Sequence, residues 1–180
     1  MYLEWYLKEK TASEKSLEEK AVELLAEKKL TVTTAESCTG GLIAGTLVNV
    51  PGASEVLNEG YVTYSNEAKE RLVGVRHETL ETYGAVSEQT AKEMAAGAAK
   101  AAGADAALSS TGIAGPGGGT AEKPVGLVYI GCYLQGETTV KEFRFAGNRR
   151  ENRLRTVEEA LLLLVQCLND MAESPKRRKR

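Results

Sequence analysis

A serine between a strand and a helix, and a lysine just beyond another strand, each stand where a side chain could do chemistry. Ser37 lies in Thr33-Thr34-Ala35-Glu36-Ser37-Cys38-Thr39-Gly40-Gly41. Before it, Leu30-Thr31-Val32 is β-branched and alternating, the pattern of a buried strand end. After it, Leu42 to Val48 is an apolar run stopped by Pro51, which reads as a short helix. A hydroxyl between a strand and a helix sits among free backbone N–H groups. There it can help bind a phosphate, or attack a carbonyl whose oxyanion faces the Cys38, Thr39 and Gly40 amides. The same residues also suit a plain helix cap. Lys69 ends Gly60-Tyr61-Val62-Thr63-Tyr64-Ser65-Asn66-Glu67-Ala68-Lys69, just beyond a second strand reading. As a base it must lose its proton, which requires burial or a nearby cation. An exposed helix lysine is the alternative.

The scarcity of histidine narrows the choice of a base. His77 is the single histidine, in the polar stretch Arg76-His77-Glu78-Thr79 that reads as an exposed helix start. A multi-histidine metal site is excluded, and general-base chemistry falls to lysine, tyrosine or a carboxylate. Cys38, Cys132 and Cys167 are odd in number and far apart, without zinc or disulfide spacing. Cys38 beside Ser37 is an alternative nucleophile.

Two further segments have the makings of an anion site. Ser110 to Thr120 follows a strand reading, and five of its residues between 112 and 119 are glycine. Glycines let backbone amides approach an anion, although no Gly-Lys-Ser/Thr ending makes this a P-loop. Gly147-Asn148-Arg149-Arg150 joins a hairpin end to a helix start, where an arginine can clamp a phosphate or pair with a surface acid.

The elements that must position these residues follow from periodicity. Ser16 with Glu19 forms a capping box ahead of a helix carrying Leu17, Val22, Leu24 and Leu25 inward. Asn58 to Tyr64 and Ala106 to Ser110 read as strands, Ser65 and Ser87 as helix caps. An alanine-rich helix runs from Ser87 to near Gly103. Val125 to Leu134 and Thr138 to Phe145, joined across Gln135-Gly136, read as a β-hairpin. Arg149 to Met171 is the closing helix. Alternating helices and strands with one hairpin predict an α/β fold, a three-layer α/β/α sandwich with a mixed, mostly parallel sheet. The 180 residues, 42% hydrophobic and 27% charged, suit one globular domain, expected over 16–172. It is flanked by an aromatic extension at 1–15 and a basic tail at 173–180.

A net charge of −2 gives no electrostatic case for nucleic acid, and no apolar run suits a membrane span. The cysteine pattern, with no signal peptide, predicts a cytoplasmic setting. Tyr2, Leu3, Trp5 and Tyr6 suit either a docked helix or a subunit contact.

Thr33 to Gly41, Gly60 to Lys69, Ala85-Val86-Ser87, Ser110 to Pro116, Glu122 to Gly126 and Gly147 to Arg149 occur in order. Together they resemble the CinA C-terminal family, the bacterial nicotinamide-nucleotide amidases, over roughly residues 17–170. The resemblance implies hydrolysis of nicotinamide mononucleotide to nicotinate mononucleotide and ammonia. It implies Ser37 as nucleophile, Lys69 as proton acceptor, and Tyr64 assisting the proton or positioning the lysine. Cys38, Thr39, Gly40, Thr111, Gly112 and Gly115 would line the substrate, with Arg149 on its phosphate. No cofactor or metal is implied. A homodimer or larger assembly is, with a small pyridine nucleotide as the other partner. Where the family has an acidic residue, this chain carries Gly117 and Asn148. The alternative reading keeps the fold as a nucleotide-binding sensor, or a competence or DNA-repair accessory, without turnover.

Overall fold

In the computed structural model, residues 15–173 are described, and most of the aromatic extension and the basic tail lies outside them. Six α-helices and five strands alternate among the described residues. They are α1 (Leu17–Lys28), β1 (Val32–Glu36), α2 (Leu42–Leu47), β2 (Tyr61–Val62), α3 (Asn66–Val73) and α4 (His77–Tyr83). Then come α5 (Glu88–Ala102), β3 (Ala106–Gly112), β4 (Leu127–Leu134), β5 (Glu137–Arg144) and α6 (Arg149–Glu173). The sheet order is β2-β1-β3-β4-β5. β2, β1 and β3 are parallel, while β4 is antiparallel to both β3 and β5. β4 alone therefore runs against the other four, which is the mixed, mostly parallel sheet expected.

The strands alternate between two cores, as a period of two requires. Val32, Leu108, Val128, Ile130 and Cys132 face a core closed by Leu25 of α1, Ile43 of α2 and Leu161 and Leu164 of α6. Ala35 and Ala107 face the other, with Val73 of α3, Leu80 of α4 and Met94 and Ala98 of α5. Helices thus cover both faces. No helix of the described residues is long and apolar enough to cross a membrane.

Local signals act where they were read. The Ser16 hydroxyl accepts from the Glu19 amide while the Glu19 carboxylate accepts from the Ser16 amide, a complete capping box. Ser65 and Ser87 cap α3 and α5, and Gly103 closes α5 in the left-handed conformation. The hairpin turns across Gln135 and Gly136, both at positive φ. β2 departs most from its sequence reading: two residues pair instead of seven. The chain then turns away, with the Thr63 amide still donating to the Glu36 carbonyl at 2.8 Å.

α3 can lie against α5 because Gly97 has no side chain. A Cβ there would sit 1.7 Å from the Val73 carbonyl oxygen. We expect Gly97→Ala to cost about 1–3 kcal/mol through overpacking, seen as a lowered melting temperature in calorimetry. An unchanged melting temperature would mean α3 moves away freely.

Candidate active site

The β2-β1-β3 order makes the space between the ends of β1 and β3 a topological switch point. The connection from β1 leaves to one side and β3 lies on the other. Open α/β sheets leave a crevice there, at the carboxyl ends of the strands. A cavity of about 230 Å³ occupies it, with Ser37, Tyr64, Lys69, Thr111 and Arg149 among its walls.

Alternation at the end of β1 sends neighbouring side chains to opposite faces. Glu36 turns toward α2 and is wholly buried. Its carboxylate accepts from the amides of Gly41 (2.9 Å), Ile43 (3.0 Å) and Ala44 (2.8 Å). These are amides that a helix start leaves unpaired, and a carboxylate beside them is also favoured by the helix dipole. Ser37 comes next and opens on the α3 face. Its amide extends the β1–β3 ladder, donating to the Ser110 carbonyl at 2.9 Å.

On that face stands Lys69, in the first turns of α3 and only 1% exposed. Its Nζ lies 3.1 Å from Ser37 Oγ and donates to the Thr63 carbonyl at 2.9 Å. No ion pair joins it to a carboxylate among the described residues. Burial pushes its pKa below the ordinary lysine value, because desolvation penalises the ammonium. A neutral Nζ that donates to Thr63 retains a lone pair able to accept the Ser37 proton.

The remaining expected residues divide into cavity walls and framework. Cys38, Thr111, Gly112 and Arg149 line the cavity. Gly112 is the one residue its place allows, since a Cβ would lie 2.6 Å from the Val128 side chain and 2.7 Å from the Leu127 carbonyl. Thr111 Oγ1 donates to the Ala85 carbonyl at 2.6 Å, holding the loop before α5 to the end of β3. Tyr64 is 62% exposed, and its hydroxyl accepts from Arg149 Nη2 at 3.1 Å. No hydrogen bond joins Tyr64 to Lys69. The Thr39 side chain turns inward, wholly buried, to share a 2.6 Å hydrogen bond with Ser110 Oγ. Gly40 is exposed in the turn and lies outside the cavity walls.

Three sequence readings change. The amides of α2 do not serve an incoming anion, because Glu36 already occupies those of Gly41, Ile43 and Ala44. The glycine-rich loop offers a carbonyl at its crucial point: Gly115 O accepts from Arg149 Nη1 at 2.8 Å. Its stretch from Pro116 to Thr120 is exposed. Cys38 is a poor nucleophile, since burial pushes its thiol up to about 11. His77 is exposed on α4 and pairs with Glu70 at 2.9 Å, away from the cavity.

Sequence reading passed over Glu36, Arg153 and Asn152. Arg153 donates to the carbonyls of Cys38 (3.0 Å) and Thr39 (2.7 Å). The buried Asn152 accepts from the Gly147 amide and donates to the Ala114 carbonyl. A carboxylate directly before the serine was visible in the sequence. The two α6 residues gave no local sign, since their partners lie far away in the chain. No group of three His, Cys, Asp or Glu side chains suited to a metal ion occurs among the described residues.

The sequence pattern of the CinA C-terminal domain matches residues 14–168. The chain belongs to the CinA C-terminal domain family. A Clostridium perfringens protein named for competence-damage induction is 60% identical over 148 residues, 82% of this chain and 36% of that protein. This CinA domain thus spans little more than a third of that curated relative. Among solved structures, the competence/damage inducible protein CihA of Agrobacterium tumefaciens is 47% identical, with a TM-score of 0.80. The match covers 89% of this chain and 99% of that one. The competence damage-inducible protein A (ComA) of Klebsiella pneumoniae is 37% identical with a TM-score of 0.82, over 85% and 95% of the two chains.

Two measurements probe the site without a substrate. Burial of Lys69 costs stability in full below its folded-state pKa, where both folded and unfolded chains carry the proton. That cost is relieved as pH rises from there toward 10.5, since the unfolded chain then binds more protons than the folded one. Lys69→Met is therefore expected to melt above the parent chain at acidic pH, with the gain shrinking as pH climbs. Roughly 2–4 °C accompanies each kcal/mol at this chain length. A gain independent of pH would mean that Lys69 is not desolvated. Separately, Cys167 is half-buried and its hydrogen bond with Cys132 lowers its pKa to about 7. At neutral pH iodoacetamide is expected to label Cys167 well ahead of Cys38, as read by peptide mass spectrometry. Faster labelling of Cys38 would return it to contention as a nucleophile.

Proposed function

We propose that this CinA domain is a cytoplasmic amidohydrolase that converts nicotinamide mononucleotide and water to nicotinate mononucleotide and ammonia. The observation that carries the reading is the 3.1 Å approach of a buried lysine amine, without a carboxylate ion pair among the described residues, to the Ser37 hydroxyl. A lysine whose pKa burial lowers, set beside a serine, is a general base poised against a nucleophile. The cavity in front of the pair has room for a carboxamide, and Arg149 stands at its edge to meet an anion. Relatives named for competence or damage induction carry the same domain, and those names do not describe a chemical step.

The reaction runs as acyl transfer. Lys69 Nζ takes the Ser37 proton as Oγ bonds to the carboxamide carbon. The carbonyl oxygen becomes an oxyanion, which the Cys38, Thr39 and Gly40 amides receive. As the intermediate collapses, the C–N bond breaks and Lys69 returns its proton to the departing nitrogen, releasing ammonia. Water then attacks the acyl-enzyme, giving its proton to Lys69, and Ser37 leaves as the hydroxyl. Arg149, drawn between the Tyr64 hydroxyl and the Gly115 carbonyl, holds the phosphate and so fixes the distance of the ring from Ser37.

Ammonia release from nicotinamide mononucleotide tests this directly. Ser37→Ala is expected to abolish it. Lys69→Ala should lower kcat by roughly 10²–10⁴-fold, the usual contribution of a positioned base. In the parent chain kcat/KM should rise with pH through a single ionisation below 10.5, because only unprotonated Lys69 can accept the proton. Undiminished release by folded Ser37→Ala would end the assignment. Tight binding of the nucleotide with no release would make the domain a sensor.

A further inference from the structure

The turn after Ser37 has two consecutive amides, those of Thr39 and Gly40, that donate to no backbone acceptor among the described residues. The next amides, on α2, are taken by Glu36. What aims these two is on the other side of the turn. Arg153 Nε donates to the Cys38 carbonyl at 3.0 Å, and its Nη2 donates to the Thr39 carbonyl at 2.7 Å. A trans peptide is planar, so its C=O and N–H point in opposite directions. Fixing the Cys38 carbonyl therefore fixes the Thr39 N–H, and fixing the Thr39 carbonyl fixes the Gly40 N–H. Gly40, at φ +60°, supplies the left-handed step that lets successive N–H groups converge into an anion-binding nest.

We propose that Arg153 is the positioning residue of the oxyanion site: its guanidinium grips two consecutive carbonyls and so directs the Thr39 and Gly40 amides at the developing charge. The inference rests on the serine–lysine reading. Its geometry is independent of Lys69. The planar fork suits two adjacent carbonyls, whereas an ammonium acts as a single point charge. No ion pair commits the Arg153 guanidinium to a carboxylate among the described residues. Its positive charge next to the two carbonyls also polarises both peptides, strengthening their N–H groups as donors. α6 holds the arginine in place, since Asn152 ties the same helical turn to the Ala114 carbonyl and the Gly147 amide.

The test compares Arg153→Met, Arg153→Lys and Ser37→Ala with the parent chain. Each is assayed for ammonia release, for thermal melting and for affinity toward pyridine-3-boronic acid. In the boronate adduct Ser37 Oγ bonds to boron, the serine proton passes to Lys69, and the tetrahedral anion mimics the charged intermediate. Arg153→Met is expected to lower kcat by about 10²–10³-fold, the usual loss when an oxyanion donor is removed. KM should change little, because the interaction forms only in the transition state. Boronate affinity should fall in step with kcat, and Arg153→Lys should lie between the two. If Arg153→Met does not fold, the Lys variant decides by the same correlation.

Wild-type kcat and boronate affinity in folded variants would overturn the proposal. A lowered melting temperature with unchanged kcat per folded molecule would overturn it too, leaving Arg153 a merely structural tie. If Ser37→Ala itself keeps full turnover, the serine–lysine reading falls and this inference falls with it. A dead Ser37→Ala beside a fully active Arg153→Met sinks the inference alone.

Discussion

The site depends on a lysine amine buried without a counter-ion. An ammonium in that position is costly to desolvate, and the usual remedies are a carboxylate partner or loss of the proton. Among the described residues Lys69 has no carboxylate ion pair. Its Nζ meets one carbonyl and one hydroxyl, and burial lowers its pKa. The rest of the surroundings serve to keep this arrangement closed: α3 lies on α5 through the missing side chain of Gly97, and Ser65 caps the helix start. The fold accepts a poorly compensated group there, and reactivity is what such a group supplies.

The end of β1 divides the remaining work between two adjacent side chains. Glu36 and Ser37 point to opposite faces because a strand alternates. The carboxylate closes the start of α2, which would otherwise compete as an anion site. The hydroxyl faces the amine on α3. α6 then reaches across with Arg149, Asn152 and Arg153, each bonded to backbone of the loops after β1, β3 or β5. One helix thus aligns loops distant in the chain and links the Ser37 turn to the wall of the cavity.

Much of this was legible from residue types. The capping box at Ser16 and Glu19, the caps at Ser65 and Ser87 and the Gln135-Gly136 turn act through neighbours within a few residues, so local pattern was sufficient. β2 was overread because Tyr61 and Val62 favour strands while the length of pairing depends on where β1 ends. The family resemblance gave Tyr64 a role at the lysine. Its exposed ring instead reaches Arg149, 85 residues away. Thr39 was read as a substrate contact through its amide, and its hydroxyl is turned inward to Ser110 on the neighbouring strand.

The sequence by itself determined the alternating α/β order, the serine turn and the scarcity of histidine. Those follow from composition and short-range periodicity, which act through neighbouring residues. Only the tertiary structure decided that Lys69 is buried beside Ser37 and that Cys38 is a protonated bystander. It also decided that Glu36 fills the helix terminus and Arg153 grips the turn. These outcomes depend on desolvation and on hydrogen bonds between segments up to 115 residues apart. Such terms arise only when the sheet and helices have closed around the site.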